Sequence, residues 1–196
     1  MKFAPGATRF AGIAVILAVG GFVLTPLLSL VAVLLGGFTL WFFRDPERTP
    51  PESGILAPAD GKVSVIREED EGLRVGVFMN VWHVHVNRAP LGGEVTHTEH
   101  SPGAHRPAFS KDSDRNERFR IDFDDHAVIL IAGAFARRIS PYVEPGDRIE
   151  RGERLGHIAF GSRVDAVLPT SVDRTDLQID TGDRVRAGET VIAPEP

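Results

Sequence analysis

Hydrophobic and polar positions divide this chain into two stretches of different character. Residues 10–43 carry no charge at all, whereas beyond Arg44 short apolar runs alternate with Asp, Glu and Arg. One helix over residues 10–43 would be about 51 Å long at about 1.5 Å per residue. That is well beyond a hydrocarbon core of about 30 Å. Thr25-Pro26 falls near the middle, with Gly20-Gly21 one turn earlier, and proline lacks the amide that a helix interior needs. The pattern therefore predicts an N-terminal hydrophobic helical hairpin with halves 10–24 and 27–43. A single kinked, tilted span is the alternative. Arg9 and Arg44 flank the segment; in a hairpin both lie on one side of a membrane, the cytoplasmic side by the positive-inside tendency. Trp41, Phe42 and Phe43 have the character of an interfacial anchor. A cleaved secretory signal fits less well, because its apolar region runs only about 7–15 residues.

Past Arg44, Pro46, Pro50, Pro51 and Pro58 oppose helix. Apolar runs at 61–67, 73–86, 119–123 and 127–132, bounded by Gly, Pro, Asp or Asn, predict a mainly β domain. Helical spacing is found only around 132–139. An internal echo supports the β reading: Pro145-Gly146-Asp147-Arg148-Ile149 with Gly152-Glu153 recurs as Thr181-Gly182-Asp183-Arg184-Val185 with Gly188-Glu189. Each copy suits a tight turn with positive φ at Gly and side-chain capping by Asp. A similar turn, Pro58-Ala59-Asp60-Gly61, stands near the front. Such turns resemble those of the flattened barrel-sandwich in biotinyl and lipoyl domains. The expected organisation is a membrane-associated segment over 1–48 and a β domain over 49–196.

Composition narrows the chemistry. A length of 196 residues suits one modest domain with an accessory segment. A net charge of −5 gives no basic field for nucleic acid. The absence of cysteine excludes disulfides, thiol catalysis and thiolate metal sites.

Several residues are candidates for function. His83 and His85 alternate within the run 73–86, and on one strand they would share a face. A His-x-His pair can be half of a zinc site, but zinc needs at least one further protein ligand. His97, His100, His105 or His126 could supply it only through tertiary convergence, so a zinc peptidase is one reading. The repeated turns suggest a second, a biotinyl or lipoyl carrier, yet neither Lys62 nor Lys111 has Met-Lys-Met surroundings. Asp60 alone reads as a turn aspartate, Asp122-Phe123-Asp124-Asp125 as a turn or cation site, and Arg137-Arg138 as a solvated pair. Ser162, in Phe160-Gly161-Ser162-Arg163-Val164-Asp165, is not the Gly-x-Ser-x-Gly elbow of serine hydrolases, since Val164 follows two places later.

An ordered set of stretches gives the third reading. Phe42-Phe43-Arg44-Asp45-Pro46-Glu47-Arg48, Pro58-Ala59-Asp60-Gly61 and His85-Val86-Asn87-Arg88-Ala89-Pro90 come first. Asn116-Glu117-Arg118, Ala132-Gly133 with Ala136-Arg137-Arg138-Ile139, and Pro145-Gly146-Asp147 leading to the Ser162 stretch follow. Together, over residues 42–169, they resemble the short bacterial and archaeal class of phosphatidylserine decarboxylases, which includes archaetidylserine decarboxylases. The resemblance implies self-cleavage between Gly161 and Ser162 into chains 1–161 and 162–196, with Ser162 converted to a covalent pyruvoyl group. It implies His85 and Asp60 as the base and its carboxylate, and it requires no histidine at His83 and no metal. It implies a serine phospholipid as substrate and a membrane as its setting, and with the positive-inside reading of Arg9 and Arg44 the catalytic domain is expected on the cytoplasmic side. Arg88, Arg137 and Arg163 become candidates to hold phosphate or carboxylate. A homo-oligomer is left open, as is the choice between phosphatidylserine and archaetidylserine.

Overall fold

Thr25 and Pro26 break the apolar segment where the sequence places the break. In the computed structural model, which describes residues 2–103, 116–133, 139–159 and 161–196 (without the side chains of 22–24), α1 spans Ala7–Leu24 and α2 spans Pro26–Phe42. Pro26 occupies the first helical turn of α2, where a missing amide costs nothing, and Thr25 Oγ1 accepts from the Leu28 amide at 3.4 Å. The two helices pack in antiparallel fashion. Phe10 stacks on Phe43 at 6.0 Å between ring centroids, and Ser29 donates to the Ala18 carbonyl at 2.7 Å. A Cβ added to Gly36 would stand 2.9 Å from that of Ala14, so glycine permits the close approach. Beneath them β1 (Lys2–Phe3) pairs antiparallel with β2 (Arg44–Asp45), and Lys2 meets Glu47 at 3.2 Å. Residues Met1–Glu47 form one compact unit and Arg48–Pro196 another.

The second unit is mainly β. Its strands are β3 (Ile55–Leu56), β4 (Gly61–Glu69), β5 (Gly72–Met79), β6 (Val86–Arg88) and β7 (Gly93–Glu94). They continue with β8 (His97–Ser101), β9 (Arg118–Asp122), β10 (Ala127–Ala132), β11 (Ile139–Pro141) and β12 (Arg148–Ile149). The last are β13 (Arg154–Ile158), β14 (Ser162–Val167), β15 (Arg184–Val185) and β16 (Val191–Ala193). The main sheet has the order β15-β4-β5-β14-β10-β9-β8, with antiparallel neighbours throughout. A three-stranded sheet, β11-β13-β6, and two-stranded pairs β12-β7 and β16-β3 complete it. Among the described residues these sheets are open and form no closed barrel.

The apolar run 73–86 is not one strand. It ends as β5 at Met79, turns through Asn80–His83, where the His83 amide donates to the Asn80 carbonyl at 3.0 Å, and resumes at β6. The Asn80 side-chain carbonyl also caps the turn, accepting from the Val81 amide at 2.6 Å. The helical spacing at 132–139 begins in β10 and ends in β11, and its middle, 134–138, lies outside the described residues.

The sequence echo is a structural one. The Glu144 amide donates to Asp147 Oδ2, and the Asp180 amide to Asp183 Oδ2, each at 2.8 Å. Gly146 and Gly182 have φ of 96° and 107°, which a side chain would strain. Each copy then pins a matching Ala-Pro segment. The Gly152 amide donates to the Ala89 carbonyl at 2.9 Å, and the Gly188 amide to that of Ala57 at 3.0 Å. The two Ala-Pro segments cross-bond as well, Leu56 donating to Pro90 at 3.0 Å and Arg88 to Pro58 at 2.8 Å.

One core cluster fills the space between the layers and includes Val77, Met79, Ala89, Leu130, Ala132, Leu155, Ile158 and Val164. Glycine at 61 is part of this packing, because a Cβ there would lie 2.2 Å from the Phe78 carbonyl oxygen. Gly61→Ala is expected to cost about 1–3 kcal/mol of stability through overpacking. Its denaturant midpoint, compared with that of the parent chain, checks this.

Candidate active site

Ser162 opens β14, the central strand of the main sheet. It lies opposite Met79 of β5 and Ala132 of β10, and from there to Val167 the strand is paired on both sides. Ser162 is fully buried, and its Oγ has no hydrogen-bond partner among the described residues. Gly161 precedes it with φ of 61°, a conformation that glycine adopts without penalty. A buried hydroxyl with no partner costs about 1–3 kcal/mol, so this serine is poorly explained as a turn or packing residue.

The strand's two faces differ. Val164 and Ala166 alternate with Ser162 and belong to the main core. Arg163 and Asp165 point the other way. Asp165, fully buried, accepts from Arg163 Nε at 2.7 Å and Nη2 at 2.8 Å, and from Arg74 Nε at 2.7 Å. Gly76 stands opposite Asp165, and a Cβ there would come within 2.7 Å of Oδ1. Arg163 is therefore engaged in a buried ion cluster on the face opposite Ser162. Arg88 donates to the Gly152 carbonyl at 3.0 Å, and Arg137 lies outside the described residues.

His85 is buried, and its Nδ1 lies 3.0 Å from the His83 carbonyl. Its own carbonyl accepts from the Ile158 amide at 3.4 Å, which ties it to β13. His83 does not share a strand face with it. His83 sits in the turn after β5, and its Nδ1 accepts from the Asn80 amide at 2.9 Å. The alternation expected for the pair fails because the chain turns between Met79 and Val84.

Asp60 sits one residue before β4. Arg48 reaches both of its oxygens, at 3.1 and 2.9 Å, and the Ala187 amide donates to Oδ1 at 2.9 Å. Arg48 also meets Glu189 at 2.9 Å. Asp60 and His85 are not hydrogen-bonded to each other. The carboxylate instead clasps the front turn to the second copy of the repeat. The clasp is largely buried, so removing one partner would strand the other charge.

Sequence reasoning missed His157. It stands opposite Val86 on β13, next to the strand that follows His85, and its Nδ1 lies 2.7 Å from the Tyr142 hydroxyl. Burial holds its pKa down at about 4, from an ordinary 6.5. Tyr142 and His157 are fifteen residues apart, and nothing in local spacing signals their meeting.

The Asp122-Phe123-Asp124-Asp125 run forms the end of β9 and a turn, closed by the Phe123 amide on the His126 carbonyl at 2.9 Å. Its carboxylates, with Glu71, Arg120 and His126, line a surface cleft of about 480 Å³. That cleft touches Val167, the far end of β14 from Ser162, and so does not serve the serine. Among the described residues no three His, Asp or Glu side chains are grouped to hold a metal ion, and His105 lies outside them.

The sequence has well-matched relatives. The family model for phosphatidylserine decarboxylase matches residues 35–193. A putative archaetidylserine decarboxylase proenzyme of Halobacterium salinarum is 59% identical over 166 residues, 84% of this chain and 85% of that protein. A phosphatidylserine decarboxylase proenzyme of Streptomyces avermitilis is 49% identical over 166 residues, 82% of this chain and 76% of its own length. That of Thermobifida fusca is 47% identical over 185 residues, 92% of this chain and 83% of its own.

The depressed pKa of His157 sets a pH dependence. An unfolded chain binds a proton near 6.5 that the folded chain refuses until about 4. Stability conferred by the neutral imidazole is therefore complete above about pH 6.5 and lost as pH falls toward 4. Denaturant midpoints across that window should fall with pH, and His157→Phe should flatten the decline.

Proposed function

The chain belongs to the phosphatidylserine decarboxylase family, and from that premise we propose that it cleaves itself between Gly161 and Ser162 and decarboxylates a serine phospholipid at a membrane surface. As a member it is a decarboxylase enzyme. The observation that carries the finer reading is the fully buried, unpartnered Ser162 hydroxyl directly after a left-handed glycine.

In the proposed processing, His85 takes the Ser162 proton as Oγ adds to the Gly161 carbonyl carbon. The C–N bond breaks, an ester forms, and the proton ends on the new α-amine. Removal of the Ser162 α-proton then expels the Gly161 carboxylate, and hydrolysis of the remaining dehydroalanine releases ammonia. A pyruvoyl group at position 162 would supply an electron sink for the pair released with carbon dioxide. The site suits such a group: it replaces a hydroxyl that makes no hydrogen bond, at the end of a strand held on both sides.

The remaining roles belong to this chain's residues. His85 returns a proton to the substrate's α-carbon. Asp60, the third member of the set, acts through position: it fixes the turn after Pro58, whose carbonyl accepts from the Arg88 amide at 2.8 Å on the segment that carries His85. The products of cleavage, 1–161 and 162–196, stay together through β14 between β5 and β10. We read the repeated turns and their crossed Ala-Pro segments as a flattened barrel-sandwich. The relatives' names include both phosphatidylserine and archaetidylserine decarboxylases, and either lipid fits this reading.

The membrane reading rests on the hairpin. No described helix is long and apolar enough to cross a membrane. At about 1.5 Å per residue, α1 and α2 are about 27 and 26 Å long, somewhat short of a core of about 30 Å. Ile16, Leu27 and Val19 are 72%, 70% and 68% exposed, a costly arrangement in water. Insertion from one face as a hairpin would bury them. Arg44, stacked 4.3 Å above the Trp41 ring, would lie at the headgroup level on the cytoplasmic side.

Two outcomes test these readings. On a denaturing gel the native chain should give two fragments, the smaller blocked at its N terminus, while Ser162→Ala stays whole. Cleavage of that variant at the same place would end the self-processing reading. In flotation with anionic phospholipid vesicles the chain should rise with the lipid, and Leu17→Asp/Leu34→Asp should remain at the bottom.

A further inference from the structure

The segment carrying His85 holds a second polar group whose burial the steps above do not use. Asn87 lies in β6, two residues after His85, and is fully buried. Neither its Oδ1 nor its Nδ2 has a hydrogen-bond partner among the described residues. An amide has one acceptor and two donors to satisfy, and leaving them unmet in a core carries the full desolvation penalty of the group. An aliphatic side chain of similar volume would avoid that cost.

Strand geometry turns the amide toward the sheet that contains Ser162. Alternate residues of a strand share a face, and Ala89, two residues beyond Asn87, belongs to the main core. Opposite Asn87 stands Gly156, where an added Cβ would come 3.3 Å from Leu130 Cδ1. The β6–β13 layer therefore turns this face toward β10. Leu130 in turn lies opposite Val164 of β14, the residue that alternates with Ser162. Two buried polar groups without partners among the described residues, the Ser162 hydroxyl and the Asn87 amide, are thus carried on the inner faces of facing layers.

We propose that Asn87 is a further catalytic residue of self-processing, its Nδ2 donating to the oxyanion that forms on the Gly161 carbonyl. This deepens the self-cleavage reading and rests on it. When Ser162 Oγ adds to the Gly161 carbon, the new O–C bond drives the carbonyl electron pair onto oxygen, and the hydroxyl proton passes to the base. The oxyanion collapses as the C–N bond breaks, and the proton ends on the α-amine. A donor fixed beforehand in a water-poor layer stabilises that charge without reorganising, and loss of one such donor typically slows a reaction about 10²–10³-fold. The cost of leaving the amide unmet in the resting chain is then the cost of holding it ready.

The test measures the rate of conversion to two fragments on denaturing gels, together with thermal unfolding. Asn87→Leu removes the donor and the unmet polar burial at once. It should process about 10²–10³-fold more slowly than the parent, with an unfolding temperature equal to or above that of unprocessed Ser162→Ala. Asn87→Ala should be slowed similarly and provides the rate if Asn87→Leu does not fold. Processing of a folded variant at the parental rate overturns the inference. If the parent itself is never cut, the self-cleavage reading fails first; if the parent is cut and the Asn87 variants keep pace, only the role of Asn87 falls.

Discussion

The double pairing of β14 is the constraint on which the rest of the catalytic domain depends. Its six residues are hydrogen-bonded to β5 on one side and β10 on the other, and the opposite faces are committed to different tasks. One face carries Ser162, Val164 and Ala166 into the apolar core. The other buries Asp165 between Arg74 and Arg163. A one-residue slip would exchange the faces, placing Arg163 and Asp165 in the core and turning Val164 and Ala166 away from it. Register is therefore tightly fixed, and with it the position of the serine at the strand's first residue. A break just before that residue would leave the pairing of residues 163–167 on both sides in place.

Around this strand the domain is assembled from repeated turns rather than long loops. The Gly-Asp turns at 146–147 and 182–183 each use a carboxylate to cap the backbone, then pin an Ala-Pro segment through a following glycine. The two Ala-Pro segments bond to each other crosswise, and Asp60 with Arg48 and Glu189 ties the front turn to the second copy. His85 stands on one of the chains so fixed. The proposed positioning role of Asp60 rests on this arrangement, in which the carboxylate holds backbone on the segment that carries the imidazole. The buried amide of Asn87 belongs to the same rigid segment.

The N-terminal unit follows a different economy. Its helices satisfy their own backbone groups and pack through small residues such as Gly36 and Ala14, while their long side chains face outward. In water that arrangement exposes apolar surface; against lipid tails it is favourable. The proposed membrane setting and the family's lipid chemistry are mutually consistent, each having been reached from different residues.

The sequence by itself determined the elements whose causes are local. An uncharged run broken by Thr25-Pro26 specified two helices, glycine and aspartate at fixed offsets specified the turns, and apolar runs bounded by turn residues specified β4, β9 and β10 to within a residue or two. It also carried the ordered motifs that mark the family, and within them Gly161-Ser162. Tertiary structure alone decided what depends on partners distant in the chain. It divided the run 73–86 at Asn80 and separated His83 from His85, because a turn bond outweighed strand propensity there. It gave Asp60 to Arg48 and Ala187, brought Tyr142 to His157, and left Ser162 and Asn87 buried without partners among the described residues. Hydrogen-bond satisfaction is a property of the packed interior, and local sequence cannot report which buried groups will be left unmet.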